Sequence, residues 1–390
     1  MGAKQITEKL YDADSHLREF SAKVESCEKS EKGYIAVLDK TAFSPEGGGQ
    51  GADKGTIDGI TVLDVQIENG VIYHYLEKPV TVKSDVYGKL DWERRFRNMQ
   101  NHSGEHIISG LVYKLYGFEN IGFHLGDTEM TLDFNGVLTR DNLLKIERLA
   151  NEAIYKNAKI NTYYPDSDKL SKMQYRSKLD LSKNIRIVEI EDYDVCTCCA
   201  PHVSSACEIG IIKILDFYRN KGGVRLFVRC GIDALDDYNI KYQNIQNISV
   251  QLSVKQHETA IAVEKLAEQM TEFKLSLAQI KKRFVEEKVR SFNPETNQTA
   301  VFASDLDIKE LQLLSDALNK KCPGIRGVFS FNGNGFAFAI CGREEKLDLF
   351  FKDFSQRFTV RGGGRNGMVQ GIVFAEKEEI TAFFTEREFK

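Results

Sequence analysis

Two pairs of side chains, far apart in the chain, limit what it can fold into more than any other feature. In Asn101-His102-Ser103-Gly104-Glu105-His106-Ile107-Ile108 two histidines stand four apart inside a helical pattern. At 3.6 residues per turn such positions share one face, so both imidazoles can grip one ion. Cys198-Cys199-Ala200-Pro201-His202 repeats the spacing with a thiol and an imidazole. Three nitrogens and one sulfur suit tetrahedral zinc. A lone His-x-x-x-His arises by chance on unrelated helices, so the second pair carries the argument. Only seven histidines occur in the chain, and three of them fall in these two clusters. The expected centre is one Zn2+ per chain, held by His102, His106, Cys198 and His202. Cys196 and Cys199 compete for the sulfur position; spacing favours Cys198.

Four of the eight cysteines bunch around this second pair, at Cys196, Cys198, Cys199 and Cys207. Bunching beside a histidine fits metal ligation in a reducing cytoplasm better than a disulfide framework. Cys27, Cys230, Cys322 and Cys341 read as plain buried thiols. Residues 1–9 show no apolar signal core, Gly2 lacks a myristoylation context, and no apolar run reaches membrane-spanning length. With 390 residues the chain has room for two or three domains, and its net charge of −4 rules out bulk attraction to nucleic acid. Any such contact must come from local basic patches.

Residues 1–90 carry short β-branched and aromatic runs separated by glycine turns, with Asn69-Gly70 as a hairpin signal. They predict a small barrel-like subdomain in which His74 is structural. Within it, Phe43-Ser44-Pro45-Glu46-Gly47-Gly48-Gly49-Gln50-Gly51 lets a ligand approach the main chain, or is simply a flexible turn. It matches neither dinucleotide nor P-loop spacing. Arg94, Arg95 and Arg97 then face either phosphate or water. Residues 91–242 predict an α+β subdomain bearing the zinc. Its helices are the His102 helix and 142–156, and its strands are 130–134, 185–190, 208–214 and 224–228. Residues 243–292 predict one long coiled-coil helix, since 244–290 holds no glycine or proline. There Val263, Leu266, Met270, Phe273, Leu277, Ile280 and Phe284 step by three and four. Such a seam wants a partner helix from a second copy, or packs on its own protein. Residues 293–390 predict an α/β domain. Its segment Arg361-Gly362-Gly363-Gly364-Arg365 cradles a phosphate or nucleic-acid backbone, or forms a mobile loop.

In this order the pieces resemble the AlaX-type alanyl-tRNA editing proteins in their long form. These are free-standing relatives of the editing and C-terminal domains of alanyl-tRNA synthetase. Residues 43–50 look like the family's Gly-Gly-Gly-Gln segment, the two His/Cys pairs like its zinc half-sites, and 359–371 like its DHH-associated glycine-rich segment. The resemblance implies a cytoplasmic hydrolase that frees serine, or glycine, from mischarged alanine tRNA. It implies that Gly47, Gly48, Gly49 and Gln50 line the amino-acid pocket, that the protein dimerises through the long helix, and that the last domain holds tRNA. The second half-site departs from the family's Cys-Gly-Gly-Thr-His. Both glycines and the threonine are gone, and Pro201 removes an N–H and stiffens the loop.

Zinc in such a site activates water, polarises the carbonyl, or anchors the substrate. Glu105 is a candidate base or a solvent-facing carboxylate, and Gln50 is the candidate group to meet a serine hydroxyl. Two rival readings remain at this point. One is a non-catalytic tRNA-binding protein with a structural zinc. The other is a metalloprotease, because His102-Ser103-Gly104-Glu105-His106 also fits H-x-x-E-H. That reading calls for a downstream carboxylate as third ligand.

Overall fold

The computed structural model describes residues 6–31, 33–127, 129–177 and 185–386; residues 1–5, on which part of the signal and myristoylation readings rest, lie outside these. The chain forms two units, Met1–Asn247 and Ile248–Lys390.

The first unit begins with a closed six-stranded barrel. Around the closure run Glu19–Ser30, Gly33–Leu38, Val71–Leu76, Ile60–Glu68, Gly55–Ile57 and Asp85–Leu90. Alternation sets its inside: Phe20, Ala22 and Val24 point into the core while Glu19, Ser21 and Lys23 face water. Asn69 (φ 51°) and Gly70 (φ 83°) make the turn between two of these strands, a left-handed pair that asparagine and glycine adopt at least cost. His74 lies inside, among Phe43 and Thr41.

After the barrel comes the helix Trp92–Tyr116, capped by the Asp91 side chain on Arg94 N–H and ended by Gly117 in the left-handed region. Nearly every side chain from Asn98 to Val112 is buried, so this helix runs through the middle of the subdomain rather than along its surface. Gly104 permits that: a Cβ there would sit 2.3 Å from Cys230 Sγ. Around it lie a four-stranded sheet (Ile212–Asn220, Gly223–Cys230, Met130–Phe134, Asn120–Leu125), the helix Arg140–Tyr155, and a three-stranded sheet (Ile160–Tyr163, Ile187–Ile190, Asp194–Thr197). The expected strand at 208–214 is instead a 3-10 turn, Ala206–Ile209, and a strand that starts only at Ile212. Gly210, at φ 82°, separates them.

The expected single helix over 243–292 is broken. One helix spans Gly231–Leu252, Ser253 turns at φ 53°, a 3-10 turn covers Gln256–Glu258, and a second helix spans Thr259–Ser291. Ser249 stops the first helix: its Oγ donates to Val254 O, and its carbonyl accepts from Val254 N. On the second helix, Val263 through Ile280 are exposed by 48–69%. Its end packs, with Phe284, Val285 and Val289 against a core of Leu311, Leu314 and Leu318.

The second unit holds a five-stranded sheet in the order Gln298–Phe302, Ile325–Phe331, Phe336–Cys341, Met368–Phe374, Thr359–Arg365. Helices Ile308–Lys321, Glu344–Arg357 and Lys377–Thr385 cover it. Phe329, Phe338, Phe350, Phe354, Phe383 and Phe384 fill its centre. The glycine-rich segment is not a loop: Thr359–Arg365 pairs antiparallel with Met368–Phe374 as an edge strand, turned at Asn366 and Gly367. Among the described residues no helix is long and apolar enough to cross a membrane.

Candidate metal centre and cavity

The buried helix presents His102 and His106 side by side, ring centroids 5.4 Å apart. The strand Asp194–Thr197 delivers Cys198 at its end, and the following loop folds His202 back to within 4.8 Å of both rings. Cys198 Sγ lies 3.5 Å from His102 Nε2 and 3.3 Å from His202 Nε2. All four donor atoms fall within 4.8 Å of one another. Bond lengths of ~2.05 Å to nitrogen and ~2.3 Å to sulfur imply tetrahedral edges of roughly 3.3–3.6 Å. The donor set and its spacing therefore fit zinc.

Each imidazole is oriented from behind. His102 Nδ1–H donates to Gln50 Oε1 at 2.8 Å and His106 Nδ1–H to Asp194 Oδ2 at 3.0 Å, while His202 Nδ1 and Ser103 Oγ share a hydrogen bond of 3.0 Å. At His102 and His106 that places a proton on Nδ1 and turns Nε2 toward the centre. Asp194 is itself held by Arg176 through two bonds of 2.8 and 2.7 Å. Arg186 donates to the carbonyls of Cys198 and Ala200 at 3.1 and 2.9 Å, bracing the loop that bears the thiol.

The electrostatics favour a cation at the centre. Burial alone would raise the Cys198 thiol, but His102 and His202 beside it hold it well below its ordinary value. Burial keeps His202 neutral, at about 3. At His106 burial pulls the other way and is outweighed by Glu105, Asp194 and the two nearby sulfurs, which raise it well above 6.5.

Of the competing sulfurs, Cys196 groups with His106 and Asp194 rather than with the four, and Cys199 is exposed. Cys230 and Cys341 are buried, Cys27 and Cys322 only partly. Glu105 does not face solvent. Its Oε1 accepts from Ser109 Oγ at 2.7 Å and Asn120 Nδ2 at 2.6 Å, and its Oε2 lies 3.6 Å from His106 Nε2. Cys198 and His202 complete the set with His102 and His106, while the Asp194 carboxylate sits behind His106 on its Nδ1.

A cavity of about 320 Å³ opens beside the donors, walled by Tyr11, Ser44, Gln50, Glu105 and Phe123. Gly47 and Gly48 form its rim. Gly49 turns away at φ 85°, where a Cβ would meet Phe123 O at 2.2 Å, and its carbonyl accepts from Leu125 N at 2.7 Å.

The three early arginines each have a carboxylate partner, Arg94 at the surface and Arg95 in the interior. Arg94 pairs with Asp127, Arg97 with Asp233, and Arg95 is fully buried against Asp53. Arg361, Gly362, Gly363, Gly364 and Arg365 lie on the edge strand of the second unit, with the Arg361 guanidinium 5.6 Å over the Phe374 ring. Sequence reasoning missed Asp194, Arg176, Ser103 and Arg186. The only local trace was a charge, Arg186, set in the apolar strand run Ile185-Arg186-Ile187-Val188.

Residues 185–227 match the family described as "Threonyl and Alanyl tRNA synthetase second additional domain". The chain is homologous to the AlaX-type alanyl-tRNA editing proteins and to alanine–tRNA ligases. It is 36% identical over 249 residues to the alanyl-tRNA editing protein AlaX-L of Pyrococcus horikoshii, covering 60% of each chain. It is 34% identical over 225 residues to the alanyl-tRNA editing protein Aarsd1 of Bos taurus, covering 53% of this chain and 51% of that one. With the alanine–tRNA ligase of Ignicoccus hospitalis it shares 31% over 325 residues, 80% of this chain but 35% of the ligase. The chain thus spans from about a third to three fifths of the length of these relatives.

Proposed function

We propose that this chain is a cytoplasmic editing hydrolase. It frees serine, and also glycine, from mischarged alanine tRNA, with one Zn2+ held by His102, His106, Cys198 and His202. The observation that carries the reading is the convergence of those four donors beside a glycine-rimmed cavity of about 320 Å³. That volume sits at the lower end of ligand pockets, a size for a small aminoacyl ester. The homologues named for alanyl-tRNA editing point the same way.

When bound, zinc supplies a Lewis acid that polarises an oxygen or acidifies water. The chain's own groups do the rest. Gln50, Asp194 and Ser103 keep the imidazoles from turning, and Phe123 and Tyr11 wall off water. Glu105, held through Oε1, lines the cavity. There it takes the proton of the attacking water and returns it to the departing ribose oxygen, leaving free amino acid and a free terminal hydroxyl. Arg361 and Arg365 hold the tRNA backbone, and the helix Thr259–Ser291 joins two copies.

One observation favours a second reading. Four protein donors already fill a tetrahedron, which is the pattern of a structural zinc, so a non-catalytic tRNA binder is the alternative. A deacylation assay over seryl-, glycyl- and alanyl-tRNA, with and without chelator, separates the two. We expect seryl release that a chelator stops. His106→Ala should lower it by at least about a hundredfold in a protein whose circular dichroism is unchanged. Tight tRNA binding with no release from any substrate would leave the passive binder standing.

A further inference from the structure

Telling serine from alanine means reading one hydroxyl, and a pocket that measures only size does this poorly. Gln50 is half committed: its Oε1 accepts from His102 Nδ1–H at 2.8 Å. A substrate hydroxyl finds there only the amide N–H2, a donor.

Ser44 is placed differently. It is 4% exposed and lines the same cavity as His102 and Cys198. Its main chain is fixed at both polar groups. The N–H donates to Asp53 Oδ2 at 2.6 Å, and the carbonyl accepts from Asp53 N at 3.0 Å. Asp53 in turn is gripped by the fully buried Arg95, whose Nε lies 3.0 Å from both carboxylate oxygens. Pro45 follows and restricts the backbone further. Yet the Ser44 hydroxyl has no hydrogen-bond partner among the described residues, and it is not one of the sealed, unpartnered atoms of the interior. A serine held this rigidly, nearly buried and lining the cavity, has a hydroxyl free to meet a polar group of a ligand.

We propose that Ser44 Oγ reads the side-chain hydroxyl of the aminoacyl group and so sets the preference for hydroxylated over plain small residues. A hydroxyl both donates and accepts, so it complements a serine in either orientation. An alanyl ester would leave it desolvated and unpaired, which is unfavourable. This inference rests on the hydrolase reading above.

The test is kcat/KM of purified full-length Ser44→Ala and Ser44→Cys on seryl-, glycyl- and alanyl-tRNA, beside wild type, with zinc content and melting temperature measured for each. Both variants should lower the seryl-to-glycyl ratio about tenfold and the seryl-to-alanyl ratio by a similar factor. Ratios that stay within about twofold of wild type, in variants that melt normally and carry zinc, overturn the proposal. So does an equal fall on all three substrates, because then Ser44 only shapes the cavity. A wild type that releases none of the three overturns the hydrolase reading, and this proposal with it.

Discussion

The barrel interior contains one imidazole that has nothing to do with the metal centre. His74 is fully buried, its Nε2 2.9 Å from Thr41 Oγ1 and its Nδ1 3.3 Å from Ala36 O. Burial pulls its pKa from 6.5 down to about 4. The unfolded chain therefore binds a proton there at a pH where the folded chain does not. The stability this confers is complete above the unfolded value and is lost as pH falls from about 6.5 to about 4. The loss totals about 3 kcal/mol. We expect urea midpoints of wild type to drop more steeply between pH 7 and 4.5 than those of His74→Gln, whose side chain cannot titrate. Parallel pH profiles would show that the imidazole is solvated after all. At this scale the sequence was partly readable. An isolated histidine on a strand is most simply structural, and it is. Arg95, by contrast, could not be told from Arg94 and Arg97, because what distinguishes it is Asp53, brought close by the barrel rather than by the chain.

Among the elements, local signals succeeded where the cause was local. Asn69-Gly70 announced a hairpin and makes one. The same dipeptide at Asn366-Gly367 makes another, and it was readable too, but three consecutive glycines just before it suggested a loop. Those glycines sit in an extended edge strand because pairing with Met368–Phe374 overrides their freedom. The break after Leu252 had no glycine or proline to announce it, since a serine side chain bonding back to the main chain ends the helix. The stripe on Thr259–Ser291 is the reverse case: its three-four rhythm is clear, yet Met270, Phe273, Leu277 and Ile280 stand in water in the single chain. If a second copy covers them, wild type sediments as a dimer, and Leu277→Glu buries a charge without a partner at the seam. That change should weaken association by at least about a hundredfold, giving monomers at micromolar concentration with unaltered helix content. A monomeric wild type removes the dimer arm from the proposal.

For the whole molecule, legibility ended where distant segments had to meet. The pair His102/His106 could be read because a helix sets its own spacing. The pair Cys198/His202 has the same spacing but lies in a loop, so the helical argument was irrelevant there and the chemistry of the residues carried it. Gln50 reaches His102 from the barrel and Asp194 reaches His106 from a strand, and no local pattern marks either meeting. The two units likewise have separate interiors: one set of cores runs from Tyr11 to Cys230, the other from Ala303 to Phe384. A chain ending at Leu252 keeps every donor, the cavity and both cores of the first unit, so it should fold and bind zinc. If the second unit serves to hold tRNA, this shortened protein should keep kcat within about twofold while KM rises at least about tenfold, the mark of lost uniform binding. Arg361→Ala with Arg365→Ala in the full chain should move KM the same way. It should also flatten the salt dependence of binding by about two units of log–log slope, one for each phosphate contact removed. A shortened protein that folds, holds zinc and has lost kcat would mean that the second unit takes part in the chemistry; an unchanged KM would mean that it does not hold the tRNA.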